Sequence, residues 1–209
     1  NYSDSTELNR YGARFKYSKF QKIIDDSHES ITSNITKLAI RRDLSAKVNQ
    51  LAQYEICFGN AFHIKNVNGY NIKSSGFTIS GNPNTLYMSD VPNIDQTTGT
   101  IFFFQLISET EGQIVRQSAG TIDYVKGEIL LNPINFTSTS KSIGGDPIIE
   151  ISASPKSNDV IGLQDLYLQL DTTKSVLNML SDEISSGADP SGSTYQTTSS
   201  YLNGTLVRL

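Results

Sequence analysis

The sequence predicts an α+β fold, predominantly antiparallel β with a few short helices, and three observations predict it. Short segments rich in β-branched and aromatic residues recur between residues 34 and 155, separated by Gly, Asn, Asp and Pro. Several of these segments alternate apolar with polar residues, as strands with one covered face do. Helical spacing of apolar residues is clearest in two places, residues 17–26 and 173–187.

The first predicted element is a short helix at residues 17–26. Three of its apolar residues, Phe20, Ile23 and Ile24, fall on one face of a helix. Ser18 and the residue three positions later have the spacing of a capping box, so Ser18 is the expected cap.

A strand is predicted over residues 34–43, inside the stretch SITSNITKLAIRRDL at residues 30–44. Side chains alternate here with a period of two, and the phase changes near Ile35. Helical spacing of Ile31, Ile35 and Leu38 supports a competing interpretation. The cluster of β-branched residues favours the strand.

The charged end of this strand holds Arg41, Arg42 and Asp43, which we expect to form salt links within the fold or to a neighbouring chain. The hydroxyls before it have no partner for nucleophilic chemistry. A nucleophilic serine needs a base within reach, and His28 is the one histidine nearby in sequence. The serines and threonines are therefore expected to shape a turn.

Further strands are predicted along the chain, and one of them is apolar almost throughout. They are residues 51–59, 61–67, 76–80, 84–91, 100–108, 112–120, 121–131 and 147–155, with 162–171 alternating in part. Residues 100–108 have the composition of a strand covered on both faces.

A hairpin turn is predicted at Gly127, where a short turn needs a residue with positive φ. Ile122 and Tyr124 would then lie opposite Ile129 and Leu131. A long loop is expected around residues 138–146.

The C-terminal region changes character. Residues 173–187 are predicted to be a helix with Gly187 as its stop, and its apolar stripe consists of Val176, Leu177, Leu180 and Ile184. A polar linker follows, and the Asn-Gly pair in YLNGTLVRL, residues 201–209, is typical of a hairpin. An isolated hairpin is not stable alone. We therefore expect Tyr201, Leu202, Leu206 and Val207 to dock on another chain or on this helix.

Composition narrows the classes of function. The 209 residues carry a formal net charge of −4 and 37% hydrophobic content, which allows a sizeable core and disfavours a general nucleic-acid coat. A single cysteine, Cys57, excludes an internal disulfide and is expected to be a small buried apolar group. No stretch approaches the length of a membrane span, and the two histidines lack metal-ligand spacing.

The motif search predicts no catalytic, cofactor-binding or metal-binding residues, and no small-molecule substrate. Phosphate-binding and dinucleotide-binding glycine motifs are absent from the sequence, as is a nucleophile elbow. The adjacent carboxylates Asp25–Asp26 and Asp182–Glu183 point apart on a helix and are expected to be solvated charges.

Two binding functions remain as alternatives. Basic and aromatic residues interleave over residues 10–22, a pattern that can bind single-stranded nucleic acid. The favoured interpretation is that the aromatic side chains belong to the core and that the cations are solvated or bind an acidic partner chain. A receptor- or carbohydrate-binding β-module would use exposed aromatics in loops, and Tyr70 and Tyr87 are the candidates.

Five stretches of the chain together resemble one protein family. They are NRYGARFKYSKFQKIIDDSHESITSNITKLAIRRDL at 9–44, LAQYEICFGNAFHI at 51–64, SAGTIDYVKGEILLN at 118–132, SPKSNDVIGLQDLYLQLD at 154–171 and SSYLNGTLVRL at 199–209. They resemble the C-terminal part of the large baseplate wedge protein of T-even-type contractile-tailed bacteriophages. None of the stretches is a catalytic motif.

The resemblance implies a structural subunit of the virion, without enzymatic activity or cofactors. It implies that two copies pair in each wedge, that they bind other wedge proteins, and that a ring of these subunits surrounds the tail hub and rearranges when the sheath contracts. Assembly would take place in the host cytoplasm.

Three regions are expected along the chain. Residues 1–30 form a lead-in with the short helix, and residues 31–171 form a strand-rich core that can divide into two sub-domains. Residues 172–209 supply a helix, a linker and the docking hairpin. Arg41 and Arg42 join the apolar tail as the predicted interface residues.

Overall fold

The computed structural model describes residues 2, 5–109, 111–163, 167–181, 201–202 and 205–206. The chain divides into two units, Asn1–Leu170 and Asp171–Leu209. Strands dominate the described residues and pair antiparallel, with one short helix. The predicted α+β fold, predominantly antiparallel β, is confirmed.

The first unit contains one helix and twelve strands among its described residues. They are β1 (Arg14–Phe15), α1 (Tyr17–Asp25), β2 (Ile40–Ser45), β3 (Leu51–Cys57), β4 (Lys73–Ser74), β5 (Phe77–Ile79), β6 (Asn82–Pro92), β7 (Thr98–Leu106), β8 (Gly112–Asp123), β9 (Glu128–Thr139), β10 (Lys141–Ile143), β11 (Asp146–Ala153) and β12 (Val160–Ile161). In the second unit, β13 (Tyr201–Leu202) pairs antiparallel with β14 (Thr205–Leu206).

Strands β5 to β9 follow one another as an antiparallel meander that closes on itself. The long strand β9 pairs with β8 through residues 128–131 and with β5 through residues 136–139. Strand β3 adds to β9 as well. Closure leaves an interior that only side chains can fill.

Large apolar side chains fill that interior. Phe77 lies between Phe103 and Phe136, with ring centroids 5.0 and 5.2 Å apart and the rings nearly perpendicular. Such edge-to-face pairs are favourable arrangements for aromatic rings. All three rings are at most 1% exposed, which places the centre of the core at this cluster.

The hairpin predicted at Gly127 is present, with a shifted pairing. Ile122 lies opposite Ile129 as predicted, and Gly127 has φ +72°. Tyr124 belongs to the turn, however, and Leu131 lies opposite Gly120. The turn takes up four residues, 124–127, and this length sets the register.

A second sheet contains the region predicted to be a loop at 138–146. Strands β10 and β11 form a hairpin there, and β2 and β4 also pair with β11. The prediction was wrong because Gly144 and Gly145 both adopt positive φ, +61° and +94°, which closes a tight hairpin turn.

Helix α1 begins close to the predicted position, but its cap was wrongly predicted. Ser18 lies inside the helix, and Lys16 occupies the cap position without a side-chain hydrogen bond. The carboxylate of Asp159 replaces the cap, because its Oδ1 accepts a hydrogen bond from the Tyr17 backbone N–H at 2.9 Å. A small cluster formed by Leu8, Phe15 and Val160 lies beside this helix.

The strand predicted at 34–43 begins only at Ile40 in the structure. The preceding residues are not part of any strand, because no described strand lies beside them to complete a ladder. The interpretation of this stretch as a helix is also wrong.

Two other predicted strands are absent among the described residues. Residues 61–67 form only an isolated bridge, between Phe62 and Pro155, and the stretch does not continue as a strand where Asn71 Oδ1 accepts the N–H of Lys65 and of Asn66, each at 2.8 Å. The described part of 162–171 forms only an isolated bridge, between Tyr11 and Tyr167.

The helix predicted at 173–187 does not form over residues 173–181. A turn occupies residues 172–174, where Asp171 Oδ1 accepts the N–H groups of Thr173 and Lys174 at 3.0 and 3.2 Å. A helix this short is marginal in water unless its apolar face is packed. Residues 182–187 lie outside the described residues, as does the linker that follows up to residue 200.

Candidate interaction surface

The outward side of strands β6, β7 and β8 carries a row of apolar and aromatic side chains. On β7, Phe103 points into the closed sheet, whereas Phe102 and Phe104 point outward because alternate residues of a strand face opposite sides. Tyr87 on β6 and Ile114 on β8 lie directly opposite Phe104. We call this surface the aromatic face.

The aromatic rings of this face contact one another. The Tyr70 ring lies 5.2 Å from the Phe102 ring and 5.4 Å from the Phe104 ring, nearly perpendicular to both. Tyr87 lies 5.8 Å from Phe104. Tyr70 covers Phe102, which is 2% exposed, but remains 48% exposed itself. The face thus continues from the loop before β4 across three strands.

The residues that form the aromatic face are themselves uncharged, and Arg116, two residues beyond Ile114, is the nearest charge along β8. The face consists of Tyr70, then Thr85, Tyr87, Ser89 and Val91 of β6, Thr100, Phe102, Phe104 and Leu106 of β7, and Gly112 and Ile114 of β8. Ile114 is 45% exposed and Leu106 is 51% exposed. Charge-poor surfaces with exposed aromatic residues are typical of the core of a protein interface.

Tyr70 is held in place through its backbone. It has φ +66°, a conformation that residues other than Gly rarely adopt, and its N–H donates to the Asp90 carbonyl at 2.9 Å. A Cβ on the preceding Gly69 would lie 2.5 Å from the same carbonyl oxygen. The loop therefore lies against β6 only because residue 69 is glycine, and this places the Tyr70 ring over β7.

A buried polar cluster beneath the loop fixes its position. The Asp90 carboxylate is fully buried and accepts hydrogen bonds from Asn71 Nδ2 at 3.0 Å, from the Ile72 N–H at 2.6 Å and from the Tyr124 hydroxyl. Burial raises the pKa of Tyr124, and the hydrogen bond to Asp90 and the Asp90 charge raise it further. The cluster is closed to solvent and supports the loop that carries Tyr70.

A shallow groove lies at the end of the aromatic face. Its lining residues are Asn84, Thr85, Tyr87, Gln105, Leu106 and Ile107. Asn84 Nδ2 donates to Gln105 Oε1 at 2.9 Å, and Gln105 Nε2 donates to Gln113 Oε1 at 2.8 Å. The groove therefore offers neutral amide and hydroxyl groups beside an aromatic ring.

The structure places Arg41 in ion pairs within the fold. Its Nε lies 3.0 Å from Asp43 Oδ1, and its Nη1 lies 3.5 Å from Glu150 Oε1 on the neighbouring strand β11. Arg42 points to the other side of β2 and is half-buried. The expected salt links within the fold are present for Arg41, and a role of either arginine at an interface stays a prediction.

The predicted C-terminal hairpin has its two strands paired, Tyr201 opposite Leu206 and Leu202 opposite Thr205. Val207 lies outside the described residues. Docking of this hairpin on another chain stays a prediction.

Among residues 10–22, aromatic side chains pack against one another and two lysines form ion pairs at the surface, as the favoured interpretation predicts. Phe15 is buried, while Phe20 packs against its cluster with ring centroids 5.4 Å apart. Lys19 forms an ion pair with Glu7, and Lys22 with Asp26 four residues later. The pair with Asp26 raises the pKa of Lys22. Most of the rings are therefore occupied in packing.

Other kinds of site find little support in the described part of the chain. No group of three or more His, Cys, Asp or Glu side chains there is placed to hold a metal ion. Cys57 is only half-buried, and burial together with the charges of Glu55 and Glu128 raises its thiol pKa. Across the same residues, no helix is long and apolar enough to cross a bilayer.

Sequence reasoning found part of the aromatic face. It selected Tyr70 and Tyr87 as exposed aromatics in loops, although the structure places Tyr87 on strand β6, and it identified residues 100–108 as apolar almost throughout. It missed Ile114, because only the register between β7 and β8 places this residue opposite Phe104.

The chain combines a β-rich fold with a face of partly exposed aromatic and aliphatic side chains, a composition found at the core of protein interfaces. A comparison with family models adds a specific finding: residues 1–43 match the family described as baseplate structural protein gp6, C-terminal domain III. The match covers a short part of the 209 residues and supports a structural role in a phage tail baseplate. No curated protein matches the chain.

Proposed function

We propose that this chain is a structural subunit of a phage tail baseplate wedge. It pairs with a second copy of itself and with other wedge proteins, and it contributes to a ring around the tail hub that rearranges when the sheath contracts. It acts in the virion after assembly in the host cytoplasm. The family match at residues 1–43 and the resemblance of the remaining stretches support this function.

The aromatic face is the observation that carries the proposal. Strand β7 has the composition of a strand covered on both sides, yet on its outward side only Phe102 is fully buried, beneath Tyr70, while Phe104 is half-buried and Leu106 is exposed. Phe104, Leu106 and Ile114 leave apolar surface in water. A partner that covers them gains roughly 25 cal/mol for each Å² of apolar surface removed from water. A specific contact of standard size buries roughly 1,600 Å² in total.

Charge substitutions on the face test this role. In Tyr87→Lys and Ile114→Lys, a cation would be buried without a partner in the assembled state. We expect at least about tenfold weaker self-association by sedimentation velocity, and equally weaker binding to purified wedge proteins.

Ile94→Lys is the matched control. Ile94 is fully exposed in the turn between β6 and β7, at the end of these strands opposite to Asn84 and Leu106. All three variants should retain the circular dichroism spectrum of the wild type. If Tyr87→Lys and Ile114→Lys assemble as tightly as Ile94→Lys, the aromatic face is not the interface.

A second candidate function is binding of a neutral carbohydrate. The groove beside Tyr87 supplies amide donors and acceptors next to an aromatic ring, and it contains no charge. Binding on a glycan array that is lost in Tyr87→Ala and Asn84→Ala would support this function. Self-association unaffected by the same substitutions would then favour it over the structural role.

The apolar C-terminal hairpin is proposed to dock on another chain. Deletion of residues 199–209 should lower the mass of the complex in solution, measured by light scattering. An unchanged mass and an unchanged unfolding midpoint would contradict the docking.

A further inference from the structure

Residues 33–38 have the burial pattern of a strand, but no described strand pairs with them. Asn34, Thr36 and Leu38 are half-buried, while Ile35 and Lys37 are exposed, Ile35 by 90%. Alternation with a period of two is what an extended chain with one covered face shows. The sequence predicts a strand here for the same reason, and β2 begins only two residues later at Ile40.

The backbone of this stretch is largely without partners. The Thr36 carbonyl accepts a hydrogen bond from the Tyr17 hydroxyl at 2.8 Å. Within the described chain, the other backbone N–H and C=O groups of residues 33–38 make no hydrogen bond. Unpaired edges of this kind are templates for an added strand.

The bond from Tyr17 shows which edge is open. In an extended chain, successive residues direct their N–H and C=O groups to opposite edges. Because the Thr36 carbonyl points toward helix α1, the polar groups of Ile35 and Lys37 point away from it. No described strand pairs with this second edge.

We propose that an acidic, extended segment of a neighbouring polypeptide adds to this edge as a strand. Lys37 is the one charged residue of residues 30–40 and its side chain is exposed, whereas Arg41 on β2 is already in ion pairs with Asp43 and Glu150. A second copy would therefore bring like charge to the edge, whereas a carboxylate opposite Lys37 is favourable. Main-chain hydrogen bonds provide the affinity in strand addition, and the side chains select the partner.

Amide hydrogen exchange in the isolated chain and in assembled baseplates tests the added strand. This test rests on the proposed function, because it needs the chain to enter the particle. The amides of Ile35 and Lys37 should exchange rapidly in the isolated chain and at least about a hundredfold more slowly in the particle. A chain that never enters the particle contradicts the proposed function, and rapid exchange within the particle contradicts only the added strand.

A proline variant tests the hydrogen bonds themselves. Ile35→Pro removes the N–H at the open edge, where the isolated chain makes no hydrogen bond, and its ring also obstructs an added strand. We expect an unchanged unfolding midpoint and about tenfold less incorporation in competition with the wild type. Ile35→Thr keeps the N–H and should incorporate like the wild type. Equal incorporation of both variants would overturn the proposal.

Carbodiimide cross-linking identifies the partner. This reagent joins the Lys37 amine directly to a carboxylate in contact with it. A product that links Lys37 to an Asp or Glu of a different polypeptide is the expected result, and Lys37→Gln removes it. A link to a second copy of this chain, or exchange protection without any Lys37 product, would overturn the acidic partner.

Discussion

The Tyr124 hydroxyl donates a hydrogen bond to the buried carboxylate of Asp90, and this bond joins the turn after β8 to strand β6. The same carboxylate holds Asn71 and the Ile72 N–H, so one anion connects three separate parts of the chain. A buried anion with a missing partner is costly, because it retains the full penalty of leaving water.

Tyr124→Phe should therefore lower the free energy of unfolding by about 1–3 kcal/mol, the usual cost of leaving a buried polar group without its partner. Urea denaturation at pH 7 measures the change. Tyr11→Phe removes a hydroxyl from a ring that is 70% exposed and should change stability by less than about 0.5 kcal/mol. Equal effects of the two substitutions would contradict the role of the buried bond.

The same bond predicts a loss of stability at alkaline pH. Burial raises the pKa of Tyr124 above its value of about 10 in the unfolded chain, and the bond to Asp90 and the Asp90 charge raise it further. Its contribution is fully present below pH 10 and is lost as the pH rises above it, because the unfolded chain then releases a proton that the folded chain keeps. Urea midpoints between pH 8 and pH 11 should fall more steeply for the wild type than for Tyr124→Phe. Parallel curves would show that Tyr124 does not titrate differently in the two states.

Two glycines with similar backbone angles allow the cost of backbone strain to be distinguished from the cost of a steric clash. Gly127 and Gly144 have φ +72° and +61°, but a Cβ on Gly127 would lie 2.0 Å from the Asn60 carbonyl oxygen, while nothing lies within 4 Å of one on Gly144. Gly144→Ala should lower the free energy of unfolding by about 1–2 kcal/mol, which is the strain of a residue other than glycine in the left-handed conformation. Gly127→Ala should cost clearly more. Thermal unfolding of both variants measures the difference, and equal losses would show that the chain near Asn60 moves aside freely.

The contact that starts helix α1 predicts a local effect. Asp159 accepts the Tyr17 N–H, so Asp159→Ala should destabilise the helix by about 1 kcal/mol, as the loss of a side-chain cap does. Amide exchange over residues 17–25 should accelerate about fivefold, with little change in the closed sheet. Asp146→Ala, at the exposed start of β11, is the control and should leave the helix amides unchanged.

Strand composition and turn chemistry made much of the sheet predictable. The positive-φ glycine at 127 and the pairing of Ile122 with Ile129 follow from local sequence, because a tight turn fixes the pairing of the residues next to it. Strands β6 and β7 each begin and end within two residues of their predicted bounds, because their composition is that of a strand. The β10–β11 hairpin was missed because its two glycines were interpreted as a loop.

Features that depend on distant residues could not be predicted. The Asp159 cap of α1 lies 142 residues from Tyr17 in sequence, and no local pattern indicates it. The side chain of Asn71 takes the backbone N–H groups of Lys65 and Asn66, where a strand was predicted. The aromatic face was predicted only in fragments, because its members come from a loop and three strands whose register is set by the whole sheet.

Closure of the meander through β9 has a consequence for how the chain folds during synthesis. The hairpins β7–β8 and β8–β9 join near neighbours in sequence, whereas the last pairing joins Phe77 to Thr139. Contacts between distant residues form late, because the intervening chain must lose its freedom first. Until Thr139 has left the ribosome, β9 cannot complete its pairing with β5, and the apolar interior stays exposed between these two strands. The nascent protein therefore most needs protection from aggregation during this stage of translation.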